Sequence, residues 1–257
     1  MLQVKISMFC KIFFVTISLL LIERARADTI TLSGDEWSPY LVEKPEVGGV
    51  VYDIVNTAFL REGHQVKWEF YPWARALFLA RTGKVTGLAD AWFSEERKKD
   101  FLFSDPFLIN RLSFLKRRDE EITWDTYEDL TPYTIAQVNH AVVSAEFEKA
   151  DYLKKHKVPT VTTALKLLLS GRVDLFGDDE INIMETMKKD LPEGLEMVDF
   201  VAKPIVTNKL YFISSRSRPD HIDVINIFNA GLAKLMTDGT YQKILDKHQM
   251  GRLTVLP

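Results

Sequence analysis

Residues 92–107 read WFSEERKKDFLFSDPF, a stretch in which charged residues are followed at once by an apolar segment and a turn. Arg97 is the first of three consecutive basic residues, FLF is apolar, and Ser-Asp-Pro is typical of a turn. Two interpretations are open. The charged run could be the solvated end of a helix that leads into a buried strand, or Arg97 could reach into a cleft and bind an anion.

The residues on both sides of this stretch alternate between strand-like runs and amphipathic helices. No repeat, low-complexity tract or Gly/Ser linker interrupts residues 28–257. This pattern predicts an α/β fold with a largely parallel sheet. Strands are predicted at 29–33 and 65–71, with a helix between them that Gly63 ends. A second helix is predicted over 73–81, and the residues expected to face inward there are Ala74, Leu77 and Phe78.

The same alternation restarts after residue 133 and predicts a second lobe. The further predicted elements are strands at 134–138, 173–176 and 210–214, helices at 142–150, 162–170 and 180–189, extended chain at 195–201, and a helical tail at 220–248 broken at Asp238-Gly239. Apolar positions of the tail are Ile222, Ile225, Leu232 and Leu235. The segments near 112–116 and 204–210 could both carry the chain between lobes. We therefore predict lobe 1 from residues 28–112 and 208–257 and lobe 2 from residues 113–207, joined by a two-strand hinge.

The first 27 residues have the pattern of a secretory signal peptide. Lys5 and Lys11 precede an apolar run at 12–22, and Ala25-Arg26-Ala27 matches a cleavage site. This apolar run is shorter than the about 20 residues that a transmembrane helix needs. Export with cleavage before Asp28 is the prediction, and an uncleaved anchor is the alternative.

Composition limits the class of protein that would remain after cleavage. The remaining 230 residues contain no cysteine, because Cys10 is the only one in the chain. A chain of this length can fold without disulfides, and the absence of cysteine suits a periplasm.

The first 27 residues carry four basic and one acidic residue, which leaves 29 basic and 35 acidic residues and a net charge of −6. No nucleic-acid partner is expected at that charge. The five histidines show no paired metal spacing, so neither a metal nor another cofactor is expected.

Five stretches of the chain together resemble the type 3 periplasmic solute-binding proteins that serve polar amino-acid ABC transporters. They are WSPY (37–40), GGVVYDIV (48–55), SEERKKDFLFSDPF (94–107), GRVDLFGDDE (171–180) and LAKLMTDGTYQKILDKH (232–248). The resemblance covers nearly all of residues 28–257. It implies a type II-like periplasmic-binding-protein fold, in which two β/α lobes and a two-strand hinge enclose a small ligand.

The resemblance also implies roles for three residues. Arg97 matches the arginine that binds the ligand's α-carboxylate, and a guanidinium offers a rigid bidentate fork to such a group. Asp179 matches a carboxylate that binds the ligand's ammonium group, although capping the following helix is its alternative role. Trp37 matches an aromatic residue that stacks on the ligand.

Six further residues are candidate ligand-binding residues, each with a plain structural alternative. Trp73 and Trp92 would lie near cleft loops or in the core, and Arg75 would be a second anion donor or a solvated surface residue. Ser94 keeps a hydroxyl where the family places several. Asp90 would favour a cationic ligand or stay buried, and His140 would bind ligand or cap a helix.

These observations predict a monomeric periplasmic protein that is not an enzyme. It would bind a small carboxylate-bearing solute, an amino acid or a relative of one, and deliver it to an ABC permease in the membrane. Two alternatives stay open. One is a dehydratase-like enzyme acting on prephenate-like acids, with Asp90, Asp179 or Glu180 as general acid. The other is a ligand-sensing binding protein that presents its closed form to a receptor rather than to a permease.

Overall fold

A computed structural model describes residues 29–44, 46–139 and 143–251 of the chain. The predicted signal peptide and His140 lie outside these residues, so the predictions made for them are not addressed by the structure. Within the described ranges, no helix is both long enough and apolar enough to cross a membrane.

The elements alternate along the chain as α/β patterning predicts. The first part contains β1 (Thr29–Gly34), α1 (Val50–Arg61), β2 (Gln65–Phe70), α2 (Trp73–Arg81), β3 (Gly87–Trp92), α3 (Glu95–Asp100), β4 (Phe101–Phe103) and β5 (Leu108–Arg117). The middle part contains a 3-10 turn (Tyr127–Leu130), β6 (Thr134–Val138), α4 (Ala145–Lys149), β7 (Lys154–Val158), α5 (Val161–Leu169), β8 (Leu175–Asp179), α6 (Glu180–Asp190), a second 3-10 turn (Pro192–Met197) and β9 (Val198–Phe200). The last part contains β10 (Val206–Ser215), α7 (His221–Thr237) and α8 (Thr240–Lys247).

The strands form one continuous mixed sheet in the order β2-β1-β3-β10-β5-β8-β6-β7. Strand β1 pairs in parallel with β2 and β3, and β6 pairs in parallel with β7 and β8. The central strands β10 and β5 pair antiparallel with each other and with their neighbours. The expected α/β fold is confirmed, but the expectation of a largely parallel sheet is wrong at its centre. The central strands are antiparallel because the chain crosses between the lobes twice, in opposite directions.

The two crossing strands are β5 and β10, and they pair from Leu108 with Leu210 to Leu112 with Val206. Beyond this pairing β5 continues into lobe 2, where residues 112–116 pair with β8. Both crossing segments therefore fall where the sequence predicts a hinge. The lobe boundaries at 112/113 and 207/208 stay a prediction, and both positions lie on these paired strands.

Each lobe buries apolar side chains on both faces of the sheet. Adjacent residues of a strand point to opposite faces, and in β10 Phe212 and Ile213 belong to different buried clusters of lobe 1. In β5, Phe114 and Leu115 do the same in lobe 2. Helix α7 packs closely on α1 because Gly231 has no Cβ; a Cβ there would lie 2.0 Å from the Ala58 carbonyl oxygen.

The predicted inward face of α2 is wrong. Ala76 and Ala80 are the buried residues of this helix, whereas Ala74 and Phe78 are exposed. The backbone of α2 approaches β1 closely enough for the Ser33 hydroxyl to donate to the Ala76 carbonyl over 3.0 Å. A small-residue stripe fits this approach better than the larger Leu77 and Phe78 do.

Other expectations differ in detail. Ile222 is 54% exposed in the first turn of α7 rather than buried. Residues 192–197 form a 3-10 turn, so only Val198–Phe200 is a strand in a segment expected to be extended throughout. Strand β8 starts later than expected and includes the first two acids of GDDE, because both pair with β5.

Candidate functional site

A cavity of about 360 Å³ lies between the two lobes beside the crossing strands. It is formed where the loop after β1, the end of β3, the start of α2, helix α3, strand β5 and the end of β8 come together. Its lining residues are Asp35, Trp37, Trp73, Asp90, Trp92, Arg97, Asn110, Leu112, Asp178 and Asp179. Six of the nine residues that the sequence analysis selected therefore line one cavity.

Arg97 presents a largely free guanidinium to this cavity. Ser94 caps α3, and the Arg97 side chain turns back so that one Nη1–H donates to the Trp92 carbonyl over 2.8 Å. The guanidinium lies over the Trp73 ring, with its central carbon 5.1 Å from the ring centroid. Among the described residues it has no carboxylate partner and no second hydrogen bond. Burial lowers its pKa, but an arginine stays protonated at any ordinary pH.

Aromatic rings form the lobe 1 wall. Trp37 stacks on Tyr40 with ring centroids 4.2 Å apart and meets Trp92 edge to face at 6.2 Å. The indole Nε1 of Trp92 is buried and has no hydrogen-bond partner in the described part of the chain. These flat faces and the Trp73 ring beneath Arg97 can bury apolar parts of a ligand and attract a cationic part.

Asp90 is a buried carboxylate at the end of β3. Its Oδ2 accepts a long hydrogen bond of 3.4 Å from the Asp35 backbone N–H, and its Oδ1 has no partner within the described ranges. Burial raises the pKa of Asp90 to about 7, and the nearby charge of Asp35 acts in the same direction. The sequence left open whether this residue faces the cleft; the structure places it in the cavity lining and also buries it.

Asp179 is held by protein donors on both carboxylate oxygens. Its Oδ1 caps α6 by accepting the Asn182 N–H over 2.8 Å, and a backbone hydrogen bond from Ile181 also supports the charge. Its Oδ2 accepts from the Tyr40 hydroxyl over 2.8 Å and from the Asn110 side-chain amide. Burial raises the pKa of Asp179 to about 6 despite these donors. The helix-capping alternative of the sequence analysis is therefore present, and the ammonium-binding role stays a prediction.

Glu180 is buried next to Asp179 but is absent from the cavity lining. Its Oε1 accepts from the Ser113 hydroxyl over 2.6 Å and lies 3.5 Å from Nε of Arg111. Both partners are on β5. Glu180 thus joins α6 to the crossing strand.

Three predicted residues are not placed in the cavity lining. Arg75 is exposed, and its guanidinium lies over the Tyr71 ring at 4.7 Å from the centroid. Ser94 uses its hydroxyl to accept the Arg97 backbone N–H over 3.1 Å. His140 lies outside the described residues.

Three residues at the site, Asn110, Tyr40 and Asp35, were not predicted from the sequence. Asn110 is a fully buried amide on β5, and Tyr40 is a fully buried ring in the loop after β1. A polar residue inside an apolar run, as in LINRL, is a signal that could have suggested Asn110. Tyr40 lies within the WSPY stretch, but its partner is 139 positions away along the chain.

Two α/β lobes, two crossing strands and a cavity between the lobes define a two-lobed binding protein. The pattern of the bacterial extracellular solute-binding proteins, family 3, matches residues 30–251. The chain belongs to this family, as the sequence resemblance implied.

Several known proteins are similar to this chain. An arginine-binding periplasmic protein of Mannheimia haemolytica is 25% identical over 235 residues, which cover 89% of this chain and 94% of the relative. The ABC transporter arginine-binding protein 1 of Escherichia coli (strain K12) is 29% identical over 157 residues, which cover 59% of this chain and 60% of the relative. The solved structure of the L-cystine solute receptor of Neisseria gonorrhoeae, in its unliganded open conformation, is similar in fold, with a TM-score of 0.69, 20% identity and coverage of 90% and 97%.

Proposed function

We propose that this protein is a periplasmic solute-binding protein that captures an amino acid, or a related carboxylate-bearing solute, for an ABC importer. The observation that carries the proposal is Arg97. Its guanidinium lines the cavity, is stacked on Trp73, and has one hydrogen bond to a described residue. The remaining N–H groups can form the bidentate pair with a carboxylate for which arginine is suited.

The other charges of the cavity support a ligand that also carries a positive group. Four carboxyl groups line the cavity, from Asp35, Asp90, Asp178 and Asp179, and the lining contains a single basic residue, Arg97. A ligand with one carboxylate and one or two cationic groups would complement this distribution. The names of the two arginine-binding relatives are consistent with such a ligand.

The hinge supplies the mechanism of capture. Rotation about β5 and β10 would bring the aromatic wall of lobe 1 and the acidic edge of β8 onto a ligand held by Arg97. Closure removes water from the charge-assisted hydrogen bonds and strengthens them. Delivery to a membrane permease is part of this proposal and follows from the family and from the predicted export.

A thermal-shift screen tests the proposal. The panel contains basic, acidic and neutral amino acids, polyamines, dicarboxylates and aromatic keto acids. A ligand at 100 times its dissociation constant adds about 2.7 kcal/mol to the free energy of unfolding. We expect a shift with at least one amino acid, its loss in Arg97→Ala, and its retention in Arg75→Ala, the matched control outside the cavity lining. Silence across all amino acids would count against the proposal.

A specific observation also favours a second candidate function, that of a dehydratase-like enzyme. Asp90 is buried beside Trp92 in the cavity lining, and its pKa is raised to about 7. A carboxylic acid that keeps its proton near neutral pH can donate it to a leaving hydroxyl group, which departs as water while the ring carboxylate of a prephenate-like acid leaves as carbon dioxide and supplies the electron pair. Incubation with a prephenate-like acid, followed by detection of the dehydrated product, tests this candidate. Turnover that Asp90→Asn abolishes would support it over simple binding.

A further inference from the structure

We propose that Tyr40, Asn110 and Asp179 form a bridge between the lobes, and that Tyr40 is a positioning residue that sets the separation of the lobes at the cleft. The inference goes beyond ligand binding, because it concerns a contact between the lobes rather than a contact to the ligand. Tyr40 is absent from the cavity lining, so its effect would be exerted through other residues.

The lobe 1 end of the bridge is rigidly held. Tyr40 is fully buried, and its ring stacks on Trp37. Its carbonyl oxygen accepts the Val51 N–H over 2.9 Å and thereby fixes the loop to the start of α1. Gly49 permits this approach, because it has a φ of +91° and a Cβ there would lie 2.4 Å from the same oxygen.

The lobe 2 end of the bridge is the cap of a helix. The Tyr40 hydroxyl donates to Asp179 Oδ2, while Asp179 Oδ1 caps α6. The hydroxyl therefore connects the lobe 1 loop to the start of a lobe 2 helix. Because the pair is buried and one partner is a carboxylate, this hydrogen bond is stronger than an exposed one between neutral groups.

Asn110 ties the same pair to the crossing strands. Its side-chain amide donates to the Tyr40 hydroxyl oxygen over 3.1 Å and also to Asp179 Oδ2. Asn110 lies on β5 within the segment that pairs with β10. Lobe 1, lobe 2 and a hinge strand thus meet at one carboxylate oxygen.

Two more contacts place α6 against lobe 1. Ile181, in the first turn of the helix, packs against the lobe 1 core. Near the other end of the helix, Lys188 Nζ donates to Gln249 Oε1 over 2.6 Å. These contacts show that the bridge belongs to an interface between α6 and lobe 1 rather than being a single isolated hydrogen bond.

The consequence for binding follows from the position of Trp37. Trp37 lines the cavity and stacks on Tyr40, whose hydroxyl holds lobe 2. The bridge therefore links the aromatic wall to the acidic edge of β8. Breaking it would change the spacing of the lobes without removing a contact to the ligand, so it should weaken every ligand by a similar factor.

The first measurement is the distance between the lobes in the ligand-free protein. Cys10→Ser removes the only native cysteine, and Leu60→Cys with Lys166→Cys then provides exposed labelling positions on α1 and α5. We expect Tyr40→Phe to broaden the distribution of label distances and to lengthen its mean by about 2 Å or more. Tyr241→Phe is the matched control, because its hydroxyl is also buried but donates within lobe 1 to the Phe107 carbonyl.

An unchanged distribution in Tyr40→Phe, or an equal change in Tyr241→Phe, would overturn the proposal. Asp179→Asn provides an independent variant, since an asparagine can still cap α6 but no longer offers two acceptor oxygens. It should produce the same broadening as Tyr40→Phe, and its failure to do so would also contradict the bridge.

The second measurement uses the ligand found by thermal shift and a weaker analogue of it. Tyr40→Phe should raise both dissociation constants by the same factor, on the order of tenfold. Unequal factors would overturn the inference by indicating direct contact with the ligand. If the panel yields no ligand, the proposed function fails, whereas the label distances still decide whether the bridge exists.

Discussion

Arg97 on the lobe 1 side of the cavity and Asp179 on the lobe 2 side carry opposite charges, and they differ in how many of their hydrogen-bonding groups already have protein partners. On the lobe 1 side, the Arg97 guanidinium has one hydrogen bond to a described residue and a ring beneath it. On the lobe 2 side, the Asp179 carboxylate accepts from two side chains and from the backbone of α6. Both residues line the same cavity and both are predicted by the same family resemblance.

This difference assigns ligand recognition to Arg97 and a structural role to Asp179. A charged group with unused donors gains energy from a ligand, because the ligand supplies partners that the protein does not. A group whose acceptors are already occupied has little hydrogen-bonding capacity left for a ligand. It instead stabilises the protein elements that donate to it. The free arginine is therefore the strongest expected ligand contact, and the saturated aspartate is the strongest expected contact between lobes.

The largest expected effect is that of Arg97→Ala on ligand affinity. The ligand carboxylate would be buried without its partner, so we expect a loss of about 2–4 kcal/mol of binding free energy. Isothermal calorimetry with the ligand identified by thermal shift measures it. Arg75→Ala should leave affinity unchanged, and an unchanged affinity in Arg97→Ala would remove this residue from the site.

The pH dependence of stability tests the buried carboxylates next. The folded-state pKa values of Asp90 and Asp179, about 7 and about 6, exceed the ordinary aspartate value of 3.8. The folded state therefore binds more protons than the unfolded state between about pH 4 and about pH 7, and the free energy of unfolding falls as pH rises through this range. Denaturant titrations at about pH 4.5 and about pH 8 measure the difference.

Asp90→Asn should remove part of that pH dependence. Each unit of pKa displacement corresponds to about 1.4 kcal/mol, so the rise of the Asp90 pKa from 3.8 to about 7 predicts that the variant is more stable than the parent by roughly 4 kcal/mol at about pH 8. The two should converge below about pH 3, where Asp90 is protonated in both states. Asp35 and Arg97 also act on this carboxyl group, so the same titration of Arg97→Ala should show a stronger pH dependence. A pH-independent difference between Asp90→Asn and the parent would contradict this account.

Asp179→Asn tests whether Asp179 joins the lobes or binds the ligand's ammonium group. If Asp179 acts in the bridge, amine-bearing ligands and simple acids should weaken by the same factor, corresponding to about 1–1.5 kcal/mol. If it binds the ligand's ammonium group, as the sequence predicts, amine-bearing ligands should weaken far more. Calorimetry with a ligand pair that differs only in the amine separates the two roles.

The smallest expected effect concerns the ring beneath Arg97. Trp73→Leu keeps an apolar surface but removes the cation–π contact, so we expect a loss of about 0.5–1 kcal/mol in ligand binding. Because the carboxylate contact itself remains, the loss should be smaller than that of Arg97→Ala for every ligand. A loss as large as that of Arg97→Ala would mean that the ring itself binds the ligand.

Much of the architecture could be predicted from local pattern. Apolar spacing predicted α1 and α2, and strand-like runs predicted β1, β2 and β6, because side-chain periodicity depends on neighbours in the chain. Strands β3 and β7 were missed. Strand β7 reads KKHKV, a charged sequence at the edge of the sheet, where few side chains are buried and the apolar signal is weak.

The candidate site could be predicted most directly where a residue type and a family motif coincide. Arg97, Trp37 and Asp179 stand in stretches that resemble the family, and all three line the cavity. Their states of hydrogen bonding could not be predicted, because Tyr40, Asn110 and Asp179 meet across separations of 69 to 139 residues.

The α/β class, the two crossing segments and the kinds of side chain at the cavity follow from the amino-acid sequence. Which of the cavity charges are left free, which are already paired, and why the centre of the sheet is antiparallel depend on the tertiary structure. The physical reason is that composition and periodicity are local properties of the chain. Saturation of a buried charge depends instead on donors brought to it by chain crossings that no local pattern encodes.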